Sequence, residues 1–271
     1  MRKLTTALWL VSSLVAGTAF AQPFPPNEAG VTMGHWHLNS ANIEANKKIF
    51  VAMGGIAIKP GDFEIVKFPG VLVYLHLRAG SPPPTGGTVG SIVNHVGFIV
   101  KDVQAQVATW KAAGVAVLPG NNNRLDQAYV VTPDGLRIEI LEDKNQAVPI
   151  RNEHVHFFLP AAAAIPDSQA WYAKIFGAKP STRNNALVDD IPGVQLRFAK
   201  ADAPQATTKG RVLDHIGFDI TNLEAFNKKL EAAGVTLDRP LTRNEKSGDA
   251  LEFITDPWGT YIELNERHST M

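Results

Sequence analysis

Apolar and polar positions follow the same order in two distant stretches of the chain. Residues 92–141 contain IVNHVGFIV, VQAQVATWKAAGV and YVVTPDGLRIEIL, and residues 212–264 contain VLDHIGFDI, LEAFNKKLEAAGV and EFITDPWGTYIEL. The first segment of each is a β-rich run of strand length. The second carries apolar residues at helical spacing: Val103, Val107 and Trp110 in one copy, Leu223, Phe226 and Leu230 in the other. Asp102 and Asn222 stand where an N-cap side chain belongs, and Gly114 and Gly234 where a helix ends on glycine. Pro133-Asp134-Gly135 and Pro257-Trp258-Gly259 predict tight turns, which puts Glu139 and Glu263 on a closing strand.

The residues ahead of each stretch repeat as well. HWHLNSANIEANKKIFVAMGG (35–55) aligns with HVHFFLPAAAAIPDSQAWYAKIFGA (154–178), and FPGVLVYLHL (68–77) with IPGVQLRFAK (191–200). Each half is therefore two modules, each reading strand, helix, then further strands. The three-proline stretch Ser81 to Gly90 links the first two modules, and Val148 to Glu153 joins the halves. Taken in chain order, this predicts an α+β protein with one domain over 31–147 and a second over 153–267.

Composition narrows the functional classes. Arg2-Lys3, the mostly apolar Ala7 to Ala16 and the small-x-small Ala19-Phe20-Ala21 predict a secretory signal peptide over 1–21. A periplasmic or secreted protein is expected, with no membrane insertion after cleavage and a flexible lead-in over 22–30. Cleavage leaves 24 basic residues against 26 acidic, a net charge of −2 without a basic patch, so nucleic acid is not an expected partner. Zero cysteines suit an oxidising compartment and leave any chemistry to His, carboxylates, Tyr and Arg.

Of eight histidines, His35, His95, His154 and His215 open the four modules. His37 and His156 follow two residues later, on the same strand face, and His76 lies on the last strand of the first module. His35 to His95 is 60 residues and His154 to His215 is 61; His95 to Glu139 is 44 and His215 to Glu263 is 48. Two imidazoles and one carboxylate, repeated in order, suit Fe(II) or Mn(II) with open positions left for substrate, and the same donors also suit Zn(II) or Ni(II).

At these residues the chain resembles the vicinal oxygen chelate superfamily, which includes glyoxalase I, extradiol dioxygenases, fosfomycin-resistance proteins and bleomycin-binding proteins. The resemblance rests on the opening His with its apolar strand, on Trp171-Tyr172 in the helix (Ile49-Phe50 in the first half), and on Pro-x-Gly before the strand Glu. It implies βαβββ modules paired into two cup-shaped half-barrels around a divalent metal ion. Carried over by position, the ligands are His35, His95 and Glu139 in one cup and His154, His215 and Glu263 in the other, the second being the better preserved. Where glyoxalase I has a further carboxylate ligand, this chain has Tyr74 and Arg197.

That departure implies extradiol-dioxygenase-like chemistry on a small substrate with vicinal oxygens. His156, Tyr261, His37 and Tyr74 are the catalytic candidates, and Arg197 and His76 the substrate-binding ones. A glyoxalase-like lyase or isomerase, or a non-enzymatic protein that sequesters a small molecule, are the alternatives. Four modules can pair within one chain, so monomer and homodimer both accommodate complete sites.

Overall fold

The computed structural model describes residues 24–267. The expected signal peptide and His268 lie outside the described residues. Four βαβββ modules follow one another. The first comprises β1 (Val31–Asn39), α1 (Ile43–Ala52), β2 (Ile56–Ile58), β3 (Glu64–Phe68) and β4 (Val71–His76). The second comprises β5 (Val93–Val100), α2 (Val103–Ala112), β6 (Val117–Pro119), β7 (Gln127–Val131) and β8 (Arg137–Glu142). The third holds β9 (Ile150–Leu159), α3 (Ala164–Phe176), β10 (Lys179–Arg183), β11 (Ala186–Ile191) and β12 (Val194–Lys200). The fourth holds β13 (Leu213–Ile220), α4 (Leu223–Ala232), β14 (Leu237–Arg243), β15 (Ala250–Thr255) and β16 (Tyr261–Glu266).

The expected helix signals act as read. Asp102 accepts from the Ala105 N–H and Asn222 from the Ala225 N–H, each at 2.9 Å, while Gly114 and Gly234 take positive φ just past the helix ends. Two expectations are corrected. Residues 24–30 are held in place, because Asn27 accepts from the Ala29 and Val31 N–H groups and donates to the carbonyls of Phe176 and Gly177. Residues 150–153 belong to β9, not to a connector, because Ile150 and Arg151 already pair with Val100 and Ile99 of β5.

The modules pair into two eight-stranded sheets, but not in chain order. One sheet runs β14-β15-β16-β13-β1-β4-β3-β2 and the other β10-β11-β12-β9-β5-β8-β7-β6. The outer modules, first and fourth, thus share a sheet through the antiparallel pair β1–β13, and the inner modules share one through β5–β9. The crossing is made by the connectors 77–92 and 201–212, which hydrogen-bond to each other at Thr85–Gly210, Gly86–Val212 and Ala206–Ile92. The shorter connector 143–149 stays within one sheet.

The faces turned away from the histidines share one apolar core. Trp36 of β1 meets Phe98 of β5 at 5.2 Å, Phe176 of α3 meets Phe218 of β13 at 4.7 Å, and the Tyr172 hydroxyl donates to Asp256 at 2.8 Å. Each such aromatic, fully buried, contributes about 1.5–3 kcal/mol of burial free energy. The two sheets are fixed to each other by this core, and each keeps its histidine-bearing face for a cup.

Two candidate metal centres

A β-bulge precedes every module-opening histidine. The β1–β13 ladder slips at Gly34 and at Asp214, and the β5–β9 ladder slips at Asn94 and at Glu153. A bulged residue leaves the ladder, and its side chain is re-aimed. Three of the four use this to reach the Nδ1 of the next residue: Asn94 Oδ1 to His95 at 2.9 Å, Glu153 Oε2 to His154 at 2.5 Å and Asp214 Oδ1 to His215 at 2.7 Å. Accepting from Nδ1–H fixes the tautomer whose bare Nε2 can serve as a ligand.

The inner centre gathers His95, His154, His156 and Glu139, with one donor atom from each lying within 4.8 Å of the others. Glu139 Oε2 is 3.0 Å from His154 Nε2 and 3.3 Å from His95 Nε2. The strand register builds this set, since Gly97 lies between His154 on β9 and Glu139 on β8. A Cβ on Gly97 would stand 2.0 Å from His154 Cε1, so the position must stay bare. His156 places Nδ1 3.1 Å from His95 Nε2; with His95 Nδ1–H given to Asn94, His156 is the donor.

Glu139 is steadied from the side by the Tyr129 hydroxyl, at 3.1 Å, and by a short contact with Gln127. Arg197 makes two 2.7 Å contacts to the Glu153 carboxylate and stands 3.9 Å from Glu139. Burial lowers His95 to about 4 against the pull of Glu139, and burial with neighbouring His95 and His154 puts His156 well below the usual imidazole range. Burial would raise the two carboxyls, but the histidines outweigh it at Glu139, and His154 with Arg197 and Arg183 brings Glu153 down to about 2.

The outer centre gathers His35, His37, His215 and Glu263. Glu263 Oε2 is 2.7 Å from His215 Nε2 and 3.5 Å from His35 Nε2, and Gly217 lies between His35 and Glu263 in the register. Burial lowers His35, whereas at His215 the bonds to Asp214 and Glu263 outweigh burial and raise it to about 9. The bulge before His35 carries glycine, and the space a Cβ would need there is taken by the Asp219 carboxylate. Arg267 bridges Asp219 at 2.8 Å, donates to the Tyr74 hydroxyl at 2.9 Å, and points Nη2 at His35 Nδ1 from 3.1 Å.

The structure therefore regroups the expected ligands. His35 joins His215 and Glu263, and His95 joins His154 and Glu139, because the modules pair outer with outer and inner with inner. Tyr74 and Arg197 do occupy the strand positions beside His37 and His156. Tyr74 binds Arg267, while His76 lies against His37 and Phe63 at the rim, 5.8 and 5.2 Å between rings. Tyr261 stacks on Phe253 at 4.9 Å with its ring beside His215, and burial raises its hydroxyl to about 12. His37 lies 4.5 Å from His215, ring to ring, and burial followed by His215 lowers it to about 3.

The inner donors fit a divalent ion. His154 Nε2 is fully buried and has no hydrogen-bond partner among the described residues although a carboxylate oxygen is 3.0 Å away, an arrangement a cation between them would satisfy; His215 Nε2 of the outer centre stands in the same position, 2.7 Å from Glu263. Sequence reasoning missed Asn94, Glu153, Asp214, Tyr129, Gln127 and Arg267. The first three were signalled in the repeat alignment, where the residue before the opening histidine is an acceptor in three modules and glycine in the first.

Residues 154–264 match the family model of the Glyoxalase/Bleomycin resistance protein/Dioxygenase superfamily. That span covers the third and fourth modules, one from each sheet. No curated protein matches the chain by sequence. Among solved structures, glyoxalase I from Zea mays is similar at 14% identity over 87% of this chain and 92% of its own, with a TM-score of 0.68. A point mutant of that Zea mays enzyme aligns at 14% identity over 88% and 94%, with a TM-score of 0.67. Catechol 2,3-dioxygenase aligns at 12% identity over 89% and 90%, with a TM-score of 0.34. Likeness to the two Zea mays structures at this identity establishes a shared fold.

Proposed function

We propose that the chain is an exported, metal-dependent enzyme acting on a small substrate with two vicinal oxygens, by extradiol-dioxygenase-like chemistry at the inner centre. The donor set carries this reading: His95, His154 and Glu139, with Arg197 where a further carboxylate would be needed for a four-ligand site. His95, His154 and Glu139 would hold the ion, and Fe(II) or Mn(II), favoured over Zn(II) or Ni(II), would supply Lewis-acid and redox chemistry there.

The chain's own groups supply the remaining functions. His156, kept neutral by burial, is placed to take a proton from a substrate hydroxyl. Phe158, 5.1 Å from His156 and 6.1 Å from His95, offers an apolar wall to an aromatic ring. Arg197, anchored by Glu153, sets positive charge beside the oxyanion that develops as that proton leaves. The Arg2-Lys3 stretch, the apolar run and Ala19-Phe20-Ala21, with zero cysteines, support export.

Protein loaded with Fe(II) or Mn(II) without air and then offered a catechol panel should consume oxygen. His156→Ala should lower kcat by about 10²–10⁴-fold with the ion retained. Oxygen-independent turnover of a hemithioacetal would instead assign a lyase or isomerase. Ligand binding by metal-free protein, with no turnover, would assign a sequestering protein.

A further inference from the structure

The four bulges differ at one point, and that point separates the two centres. Asn94 and Glu153 each offer an acceptor to Nδ1 of the next histidine, so His95 and His154 carry their proton on Nδ1 and present a bare Nε2, and Asp214 offers the same acceptor to His215 Nδ1. Gly34 offers nothing, and a larger residue would collide with Asp219. His35 Nδ1 instead faces Arg267 Nη2 at 3.1 Å, and a guanidinium can only donate. His35 Nδ1 must therefore accept, which puts the ring proton of the neutral imidazole on Nε2, the nitrogen turned toward Glu263 at 3.5 Å. A nitrogen carrying a proton has no lone pair for a metal ion.

Arg267 is itself held from two more sides, by Asp219 at 2.8 Å and the Tyr74 hydroxyl at 2.9 Å, so freeing His35 means breaking a three-partner network. His37, the remaining imidazole, has no hydrogen-bond partner among the described residues to fix its ring as a replacement ligand. The inner centre has no counterpart to this lock. The residues matching Arg267 and Asp219 by offset from the strand Glu and the paired glycine are Asp143 and Ile99.

We propose that the chain holds one metal ion, at the inner centre, and that Arg267 keeps the outer His35/His215/Glu263 set in a tautomeric form that excludes a second. This rests on the reading of the inner centre as a metal site, and metal counting separates the two ideas. Titration of the apo chain with Co(II), followed by calorimetry and visible absorption, should give one ion per chain. His154→Ala should give none. Arg267→Gln, which withdraws the guanidinium and leaves an amide oxygen able to accept from Nδ1–H, should give two. In the wild-type chain any outer binding should be at least about 100-fold weaker than inner binding, at the upper end of what loss of a histidine's orienting partner costs.

Two ions of similar affinity in the wild type, or one retained by His154→Ala, would overturn the proposal, as would an Arg267→Gln protein that still binds one. No ion in the wild type would defeat the metal reading itself. Should Arg267→Gln not fold, long-range proton–nitrogen spectra of the wild type still decide. They should show His35 protonated on Nε2 and His95 and His154 on Nδ1, and an Nδ1 proton on His35 would sink the idea.

Discussion

Asp189 on β11 and Glu252 on β15 are fully buried on the core side of their strands, and none of their carboxylate oxygens has a hydrogen-bond partner among the described residues. Burial, with Asp190 beside the first and Glu231 near the second, raises both to about 7. Each folded-state value exceeds the unfolded one near 4, so between about pH 4 and 7 the folded chain binds more protons than the unfolded chain. Stability from these groups is fully present below that window, falls as pH rises through it and levels off above. Asp189→Asn should therefore raise Tm by about 2–4 °C at pH 8 relative to wild type, with the gain shrinking toward pH 5. Thermal melts of both proteins across that range would test this, and a gain independent of pH would contradict it. The sequence showed the candidate ligands themselves, because His and Glu recur at fixed offsets. It hid which nitrogen each ring leaves free, since that depends on a bulge and, for His35, on Arg267 at the far end of the chain.

At the scale of elements, strands and helices were legible where local physics acts alone. The caps at Asp102 and Asn222 and the glycines that end those helices were readable because they involve only near neighbours. The ladder register was not readable, yet it is what puts a glycine beneath each crossing imidazole: Gly97 under His154 and Gly217 under His35. In Gly97→Ala the methyl group would displace the His154 ring. Overpacking of this kind costs about 1–3 kcal/mol. The variant should melt several degrees lower and lose Co(II) binding, while its circular dichroism stays close to wild type. An unchanged Co(II) affinity would show that the ring can move aside without leaving the site.

For the whole molecule, the fold class and the four modules followed from the repeat, but the pairing did not. Sequential and crossed pairing bury equivalent strand faces, so the apolar pattern is the same for both, and the 77–92 and 201–212 connectors are long enough for either. The crossed arrangement makes each half dependent on the other. Cleavage at a protease site placed after the exposed Lys144, in the 143–149 connector, should leave both fragments together on gel filtration through β1–β13 and β5–β9. The nicked protein should unfold in one transition, and separation into two independently melting halves would refute the crossed pairing.

The pairing also sets an order in time. A chain synthesised from its N-terminus completes the inner sheet once β12 has emerged, because all of that sheet's strands lie between residues 93 and 200. The first module appears before any of them, yet β1 must wait for β13, from the last module, to cover its open edge. Until then it presents a long apolar strand edge, the kind of surface that recruits unwanted partners. For a chain exported unfolded, as the proposed function would have it, the wait lets both ends arrive on the same side of the membrane before the outer sheet closes. It also means that the centre proposed to hold metal can form while the locked one is still incomplete.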